Sequence, residues 1–158
     1  MTEFIVIAAV SENNVIGKDG KMPWHIPEDL KRFKELTINN TIIMGHKTYK
    51  SLPVKPLKNR ENIVLSRKKN LSYPGIIVLN SFEESIKYCK TNNRKKVFFI
   101  GGKKIYEYGL KIAHRLELTR VHKDYNGDTY FPVVNLTKWK LVKTIDHNNY
   151  SFLTYIRK

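Results

Sequence analysis

An acidic pair follows two prolines and a tryptophan in Met22-Pro23-Trp24-His25-Ile26-Pro27-Glu28-Asp29-Leu30-Lys31-Arg32-Phe33. Pro27 suits the first position of a helix, where its missing N–H costs nothing. Glu28 and Asp29 then fall in the first turn, where the helix dipole favours negative charge. To this point the stretch is an ordinary helix start. The spacing adds more. Asp29 and Phe33 are four residues apart and share a helix face, with Leu36 close to the same line and Leu30 beside it. A carboxylate on an apolar face has lost water, so it needs a partner or its pKa rises. A lone acid against an aromatic wall, just after a loop carrying Met22 and Trp24, is suited to a cationic or hydrogen-bond-donating ring.

Three further junctions combine strand ends with glycine or positive charge. Gly45-His46-Lys47-Thr48 follows an apolar run, and a glycine before a basic helix start can present backbone N–H groups to an anion. Leu65-Ser66 leads directly into Arg67-Lys68-Lys69, basic residues at a strand end. Gly101-Gly102-Lys103-Lys104-Ile105-Tyr106 joins a strand to a helix, and paired glycines let a pyrophosphate approach the amides closely. It is not the G-x-G-x-x-G pattern, so a Rossmann assignment by motif fails. The set suits a dinucleotide. No acid follows Leu65-Ser66 to bind a ribose diol, which favours NADP(H) over NAD(H).

The elements that must position these residues read clearly. Phe4–Val10 is a continuous apolar run of strand length, expected to be buried on both faces of a central, mostly parallel sheet. Ser11 to Lys21 is a polar loop, suited to a lid. A helix runs from Pro27 to about Thr37, a short strand over Thr41–Met44, and a helix from Thr48 to Leu52. Pro53 to Arg60 is an irregular link. Strands follow at Asn62–Ser66 and Ile76–Leu79. Ser81 with Glu84 is a capping box that starts a helix at Phe82. Lys96–Ile100 and Arg115–Val121 are strands, Asn126-Gly127-Asp128 is a turn, and Trp139–Ile145 with Tyr150–Ile156 is an antiparallel hairpin. The sum is an α/β fold: a mixed, mostly parallel central sheet, helices on both faces, a C-terminal antiparallel hairpin, and one domain over residues 1–158.

Composition bounds the function. The hydrophobic fraction is 41% and the charged fraction 27%, both globular values. Cys89 is the one cysteine, so there is no disulfide framework and no thiolate metal cluster; no metal site is expected. It lies in the helix after Ser81 with no base beside it, as a small packed residue does. The apolar run near the N-terminus is too short for a signal core or a membrane span, and a cytoplasmic protein is expected. The formal net charge is +15, but the lysines are spread over every segment without a stripe of exposed aromatics. A small anionic ligand therefore ranks above nucleic acid.

The ordered pieces together resemble the dihydrofolate reductase family over essentially the whole chain. They are Ile7-Ala8-Ala9, Val15-Ile16-Gly17, Met22-Pro23-Trp24 with Pro27-Glu28-Asp29-Leu30 and Phe33, Met44-Gly45 and Thr48, Arg60-Glu61-Asn62 with Leu65-Ser66-Arg67, Ile100-Gly101-Gly102 with Tyr106, Leu118-Thr119, and Gly127-Asp128-Thr129 with Phe131-Pro132. The resemblance implies reduction of 7,8-dihydrofolate to tetrahydrofolate by NADPH, in a bacterial-type enzyme expected to act as a monomer and to bind antifolate inhibitors. A same-fold reductase of another pterin or of a riboflavin-pathway substrate is the alternative. It implies that Asp29, with Thr119, holds the pterin, and that Met22 and Trp24 belong to the catalytic lid region. Ile7, Ala8, Leu30, Phe33, Leu52, Leu57, Ile100 and Tyr106 would line the substrate site, the Ile7 and Ile100 carbonyls meeting the 4-amino group of inhibitors. Arg60 would pair with the substrate's α-carboxylate. Ala9, Ile16, Gly45, His46, Lys47, Thr48, Leu65, Ser66, Arg67, Gly101, Gly102, Lys103, Lys104, Ile105 and Tyr106 would contact the cofactor, with Asp128 on the loop bracing the lid. Two departures stand out: members often carry Arg where this chain has His46, and Pro53–Asn59 lacks the glycines usual before Arg60.

Overall fold

The computed structural model describes residues 1–158. In chain order the elements are β1 (Glu3–Ser11), β2 (Val15–Gly17), α1 (Pro27–Thr37), β3 (Thr41–Gly45), α2 (His46–Ser51), β4 (Glu61–Leu65), β5 (Ile76–Leu79) and α3 (Phe82–Thr91). They continue with β6 (Lys96–Phe99), α4 (Lys103–Ile112), β7 (Arg115–Val121), β8 (Thr129–Tyr130), a 3-10 turn (Leu136–Lys138), β9 (Trp139–Asp146) and β10 (Tyr150–Arg157). One eight-stranded sheet has the order β5-β4-β3-β6-β1-β7-β10-β9. Its first six strands are parallel. β10 alone runs against its neighbours, pairing antiparallel with both β7 and β9. The mixed, mostly parallel sheet and its closing hairpin are as the sequence predicts.

Period-two alternation in β1 explains why its run is apolar throughout. Phe4, Val6, Ala8 and Val10 point into one core layer, with Phe99, Ile105, Tyr106 and Leu116. Ile5 and Ile7 point into the other, with Ile42, Met44, Tyr49, Val64 and Phe98. Helices α3 and α4 cover the first layer through Phe82, Ile86, Cys89 and Ile105, while α1 and α2 cover the second through Phe33, Leu36 and Tyr49. Each buried Val, Ile or Phe side chain contributes about 1.5–3 kcal/mol, so β1 is anchored from both of its faces.

Local differences from the sequence expectations have local causes. The Ser11–Lys21 segment is not wholly loop: β2 pairs antiparallel with β8, and Lys18 bridges Lys21. Strands of two or three residues are too short to show a period. Helix α2 begins at His46, two residues before the predicted start, because Gly45 rather than Lys47 is its N-cap. β4 spans Glu61–Leu65, one residue earlier than expected, because Glu61 already pairs with Thr41 in the ladder and its N–H donates to Asn40 O at 3.0 Å. Ser81 does cap α3, accepting from Glu84 N at 3.1 Å, but the returning Glu84 carboxylate meets Asn80 N at 3.2 Å rather than Ser81.

Candidate active site

The candidate residues gather at the carboxyl ends of β1, β6, β3 and β4, with β7 alongside. In this class of sheet, ligands lie outside those strand ends. β1 and β7 pair in parallel with Ala9 opposite Thr119. From there Thr119 Oγ1 donates to Asp29 Oδ1 at 2.5 Å, tying the first turn of α1 to the sheet. Asp29 is half-buried. Burial pushes its carboxyl above the ordinary carboxylate range, while the Thr119 hydrogen bond and the Arg32 charge pull it the other way. An acid that keeps its proton to higher pH, held by one neutral donor, is suited to a ring that presents donors of its own.

The walls of this cleft come from both core layers. Phe33, Leu52 and Leu57 are partly buried against the α1–α2 layer, whereas Leu30 is 47% exposed and offers apolar surface beside Asp29. On the sheet side, the buried Tyr106 hydroxyl donates to the Ile7 carbonyl at 2.9 Å. Burial, then the Asp29 charge, pushes the Tyr106 phenol up, so it is a neutral donor. Ile7 keeps a second carbonyl lone pair, and Ala8 follows it, buried. Ile100 leaves β6 with its N–H bonded to Ile43 O at 3.0 Å. Arg60 lies at the outer end of α1, its Nη1 donating to Thr37 Oγ1 at 3.2 Å and its Nε to Lys58 O at 2.9 Å. Its guanidinium is 5.9 Å from the Phe33 ring centroid. It has no carboxylate within ion-pair distance, unlike Arg32, Arg94 and Arg115.

The two glycine junctions are one structure. β3 and β6 are adjacent and parallel, and Gly45 N donates to Gly101 O at 2.9 Å. Gly101 has φ +117, and a Cβ there would meet the Tyr106 ring at 3.3 Å, so the position demands glycine. The Gly101–Gly102 peptide is cis. Helix α4 starts at the Gly102 N-cap with no side chain capping it, which leaves first-turn amides open to an anion. A Cβ on Gly102 would lie 3.5 Å from Thr48 Oγ1, so Thr48 stands at the same junction. Ile105 is buried beneath it, and Lys103, Lys104 and Lys47 are exposed above.

At the next strand end, Leu65 and Ser66 are half-buried and Arg67 is exposed. Ser66 Oγ accepts from Lys68 N at 3.2 Å. His46 joins this end of the cleft: its Nε2 meets Tyr73 Oη at 2.7 Å. Partial burial, then Lys50 and Lys68, pull its imidazole down. This row of backbone amides, a threonine and several cations fits a phosphorylated dinucleotide.

The segment expected to act as a lid is braced by hydrogen bonds to residues 127–129. Asp128 Oδ2 accepts from Asp19 N at 2.9 Å, Asp128 N donates to Gly17 O at 3.1 Å, and Thr129 Oγ1 donates to Asp128 Oδ1 at 2.9 Å. Ile16 sits within β2, packed on the larger core layer. Trp24 is buried, meets Tyr125 edge-on with centroids 5.2 Å apart, and has an indole N–H with no protein acceptor. Met22 is 45% exposed. Sequence reasoning missed two participants, Tyr73 and Glu117, and one bond between residues it had named, Tyr106 to Ile7. Tyr73 comes from a link of no regular pattern and carries no signal. The Tyr106–Ile7 bond joins residues far apart in the chain. Glu117 did carry one: a charge between Leu116 and Leu118 in a buried strand.

Comparisons with known proteins identify the family. The family described as dihydrofolate reductase matches residues 3–157. The dihydrofolate reductase of Bacillus subtilis is 38% identical over 159 residues, covering 96% of this chain and 93% of that protein. That of Neisseria meningitidis is 37% identical over 163 residues, covering 99% of each. A solved structure, dihydrofolate reductase from Enterococcus faecalis complexed with NADP(H) and RAB-propyl, superposes with a TM-score of 0.89 at 34% identity, covering 98% of this chain and 96% of that one. These likenesses do not favour the alternative of a same-fold reductase acting on another pterin or on a riboflavin precursor. Sequence, fold and relatives converge: the chain belongs to the dihydrofolate reductase family.

Proposed function

We propose that this protein reduces 7,8-dihydrofolate to 5,6,7,8-tetrahydrofolate with NADPH, and that Asp29 is its catalytic acid group. The observation that carries the reading is the Asp29–Thr119 pair: a half-buried carboxyl of raised proton affinity, held by a neutral donor at the strand ends. The reaction adds a hydride to C6 of the pterin and a proton to N5. Asp29 accepts hydrogen bonds from the ring's 2-amino group and N3–H, which orients the ring. Its negative charge, when ionised, favours a protonated pterin; water brings the proton to N5. Thr119 fixes the carboxyl, and Tyr106 fixes the Ile7 carbonyl at the edge of the ring. Leu30, Phe33, Leu52 and Leu57 exclude water around the pterin and benzoyl groups, which strengthens every polar contact inside. Arg60, a half-buried cation without a protein carboxylate, takes the substrate's α-carboxylate as a two-pronged contact.

NADPH supplies the hydride when bound. The uncapped start of α4, Gly45, Gly101, Gly102 and Thr48 would hold its pyrophosphate, and Ser66, Arg67 and His46 its adenosine phosphate. Ala9, Ile16, Met22 and Trp24 would border the nicotinamide end, with Trp24 offering its unspent N–H. The site is assembled from a single chain around a single sheet, which supports one domain working as a monomer. A lone, buried thiol suits a reducing, cytoplasmic setting.

The test is dihydrofolate-dependent oxidation of NADPH, with Asp29→Asn beside the parent protein. The amide keeps the acceptor for Thr119 but not the charge or the proton. Turnover is expected to fall by on the order of 10²–10⁴, the usual worth of acid–base participation. Near-normal turnover in the variant would remove Asp29 from the mechanism.

A further inference from the structure

Glu117 is a carboxylate buried in the middle of β7, and nothing in the reaction just described uses it. Its Oε1 accepts from Arg32 Nη2 at 2.9 Å and from Thr154 Oγ1 at 2.5 Å, while Arg115 Nε stands 3.8 Å from its other oxygen. Glu117 and Thr119 project from the same face of β7. Asp29 and Arg32 are three residues apart on α1. Two ties therefore join helix to strand side by side, Asp29 to Thr119 and Arg32 to Glu117.

A guanidinium three residues after a carboxylate on one helix is within reach of it, and such neighbours attract. Arg32 nevertheless forms its ion pair with Glu117 alone. Its guanidinium also lies over the Phe152 ring, 4.6 Å from the centroid. We propose that Glu117 is a positioning residue that diverts Arg32 from Asp29, leaving the Asp29 carboxyl tied only to neutral Thr119 and open to the substrate ring. The inference rests on the reading of Asp29 given above. The charged and titratable groups facing Asp29 are few: Arg32 and Glu28 from α1, Glu117 through Arg32 from β7, Tyr106 from α4 and Tyr150 from β10. Burial and the Thr119 bond act on the Asp29 proton first; Arg32 is the one cation among these groups, so where its charge rests adds to or relieves the downward pull. Arg115 backs Glu117 from the far side and pairs with Glu3 as well, at 3.0 Å.

The experiment follows the Asp29 carboxyl directly, by carbon-13 NMR titration of the full chain, its resonance assigned by its loss in Asp29→Asn. In Glu117→Gln, Arg32 is released to Asp29. The titration then moves to lower pH by about one unit or more, as an opposite charge at contact does, and KM for dihydrofolate rises. The double variant Glu117→Gln/Arg32→Met returns the titration to the parent position or above it. Arg32→Met alone raises it by less than about one unit, because Glu117 already balances the charge; this single variant decides the matter if Glu117→Gln fails to fold. An unmoved or raised titration in Glu117→Gln, with or without lost stability, overturns the proposal, as does a large rise in Arg32→Met. Normal turnover of Asp29→Asn would instead refute the catalytic reading, while the titrations still report where the Arg32 charge goes.

Discussion

Gly127 is the tightest point of the lid brace, and substituting it with alanine tests whether the brace serves turnover. An added Cβ would lie 2.3 Å from Val15 Cγ1 and 2.7 Å from Gly17 O. Carbon atoms at rest sit about 3.5–4.0 Å apart, so the overlap exceeds 1 Å by any reckoning. The backbone of Gly127 does not lie in the left-handed region, so the conflict is purely steric. Val15 is fully buried and cannot swing aside. The segment carrying Asp128 must therefore lift from β2, straining the bonds from Asp128 N to Gly17 O and from Asp19 N to the Asp128 carboxylate. The first is worth about 0.5–1.5 kcal/mol; the second lies on an exposed carboxylate and is screened by solvent. Overpacking by one methyl costs about 1–3 kcal/mol. We expect Gly127→Ala to lose about 2–4 kcal/mol, seen as a melting point lower by about 5–15 °C for a chain of this size. If roughly 1 kcal/mol of that falls on the braced lid alone, turnover drops by about fivefold. Urea unfolding and steady-state kinetics on the same preparation read both. Parent stability with parent turnover would refute the steric argument; lost stability with parent turnover would refute the link from brace to lid.

Arg60→Lys keeps the charge but not the fork. KM for dihydrofolate should rise by about 10- to 100-fold, the worth of a charge-assisted hydrogen bond of roughly 1.5–3 kcal/mol. KM for a pterin lacking the glutamate tail should stay unchanged. Burial pushes the Glu61 carboxyl up, but hydrogen bonds from Arg94, Tyr88 and Thr41 outweigh it and hold the group below its ordinary value of 4.5. Its contribution to stability is therefore present above that value and is lost as pH falls through the lower, folded-state pKa. Glu61→Gln should be less stable than the parent near pH 7, by urea unfolding, and the gap should close in strong acid. Cys89 is fully buried and burial pushes its thiol up to about 12. A disulfide reagent should leave it untouched in the native protein and label it at the rate of unfolding.

Much of the fold is legible in the sequence because the signals are redundant. The run Phe4–Val10 had to be covered on both faces, and the two core layers meet it from both sides. Pro27 and the acidic first turn mark the start of α1 to the residue. The short pairs are not legible: β2 and β8 are joined by hydrogen bonds between segments over a hundred residues apart, and neither has enough length for a pattern. The same holds at the site. Asp29 announces itself by its place on an apolar helix face, whereas its partner Thr119 came from resemblance, since the bond spans ninety residues. Tyr73 against His46 could not be foreseen, because the link that carries it has no periodicity. Glu117 could have been, as a charge within an apolar strand must find partners.

The placement of β1 also bears on how the chain comes into being. Its partners are β6, with Glu3 opposite Lys96, and β7, with Ile5 opposite Arg115. β1 is thus bonded only to strands made well after it, beyond α1, α2 and α3. At about 5–20 residues per second, Phe4–Val10 waits roughly 5–20 seconds with both edges unpaired, and the face that α3 and α4 cover is bare for nearly as long. During that interval an apolar strand carries two open edges and an uncovered face. A nascent chain of this design has reason to be met by a holding chaperone, and its yield in the cell depends on how that wait is spent.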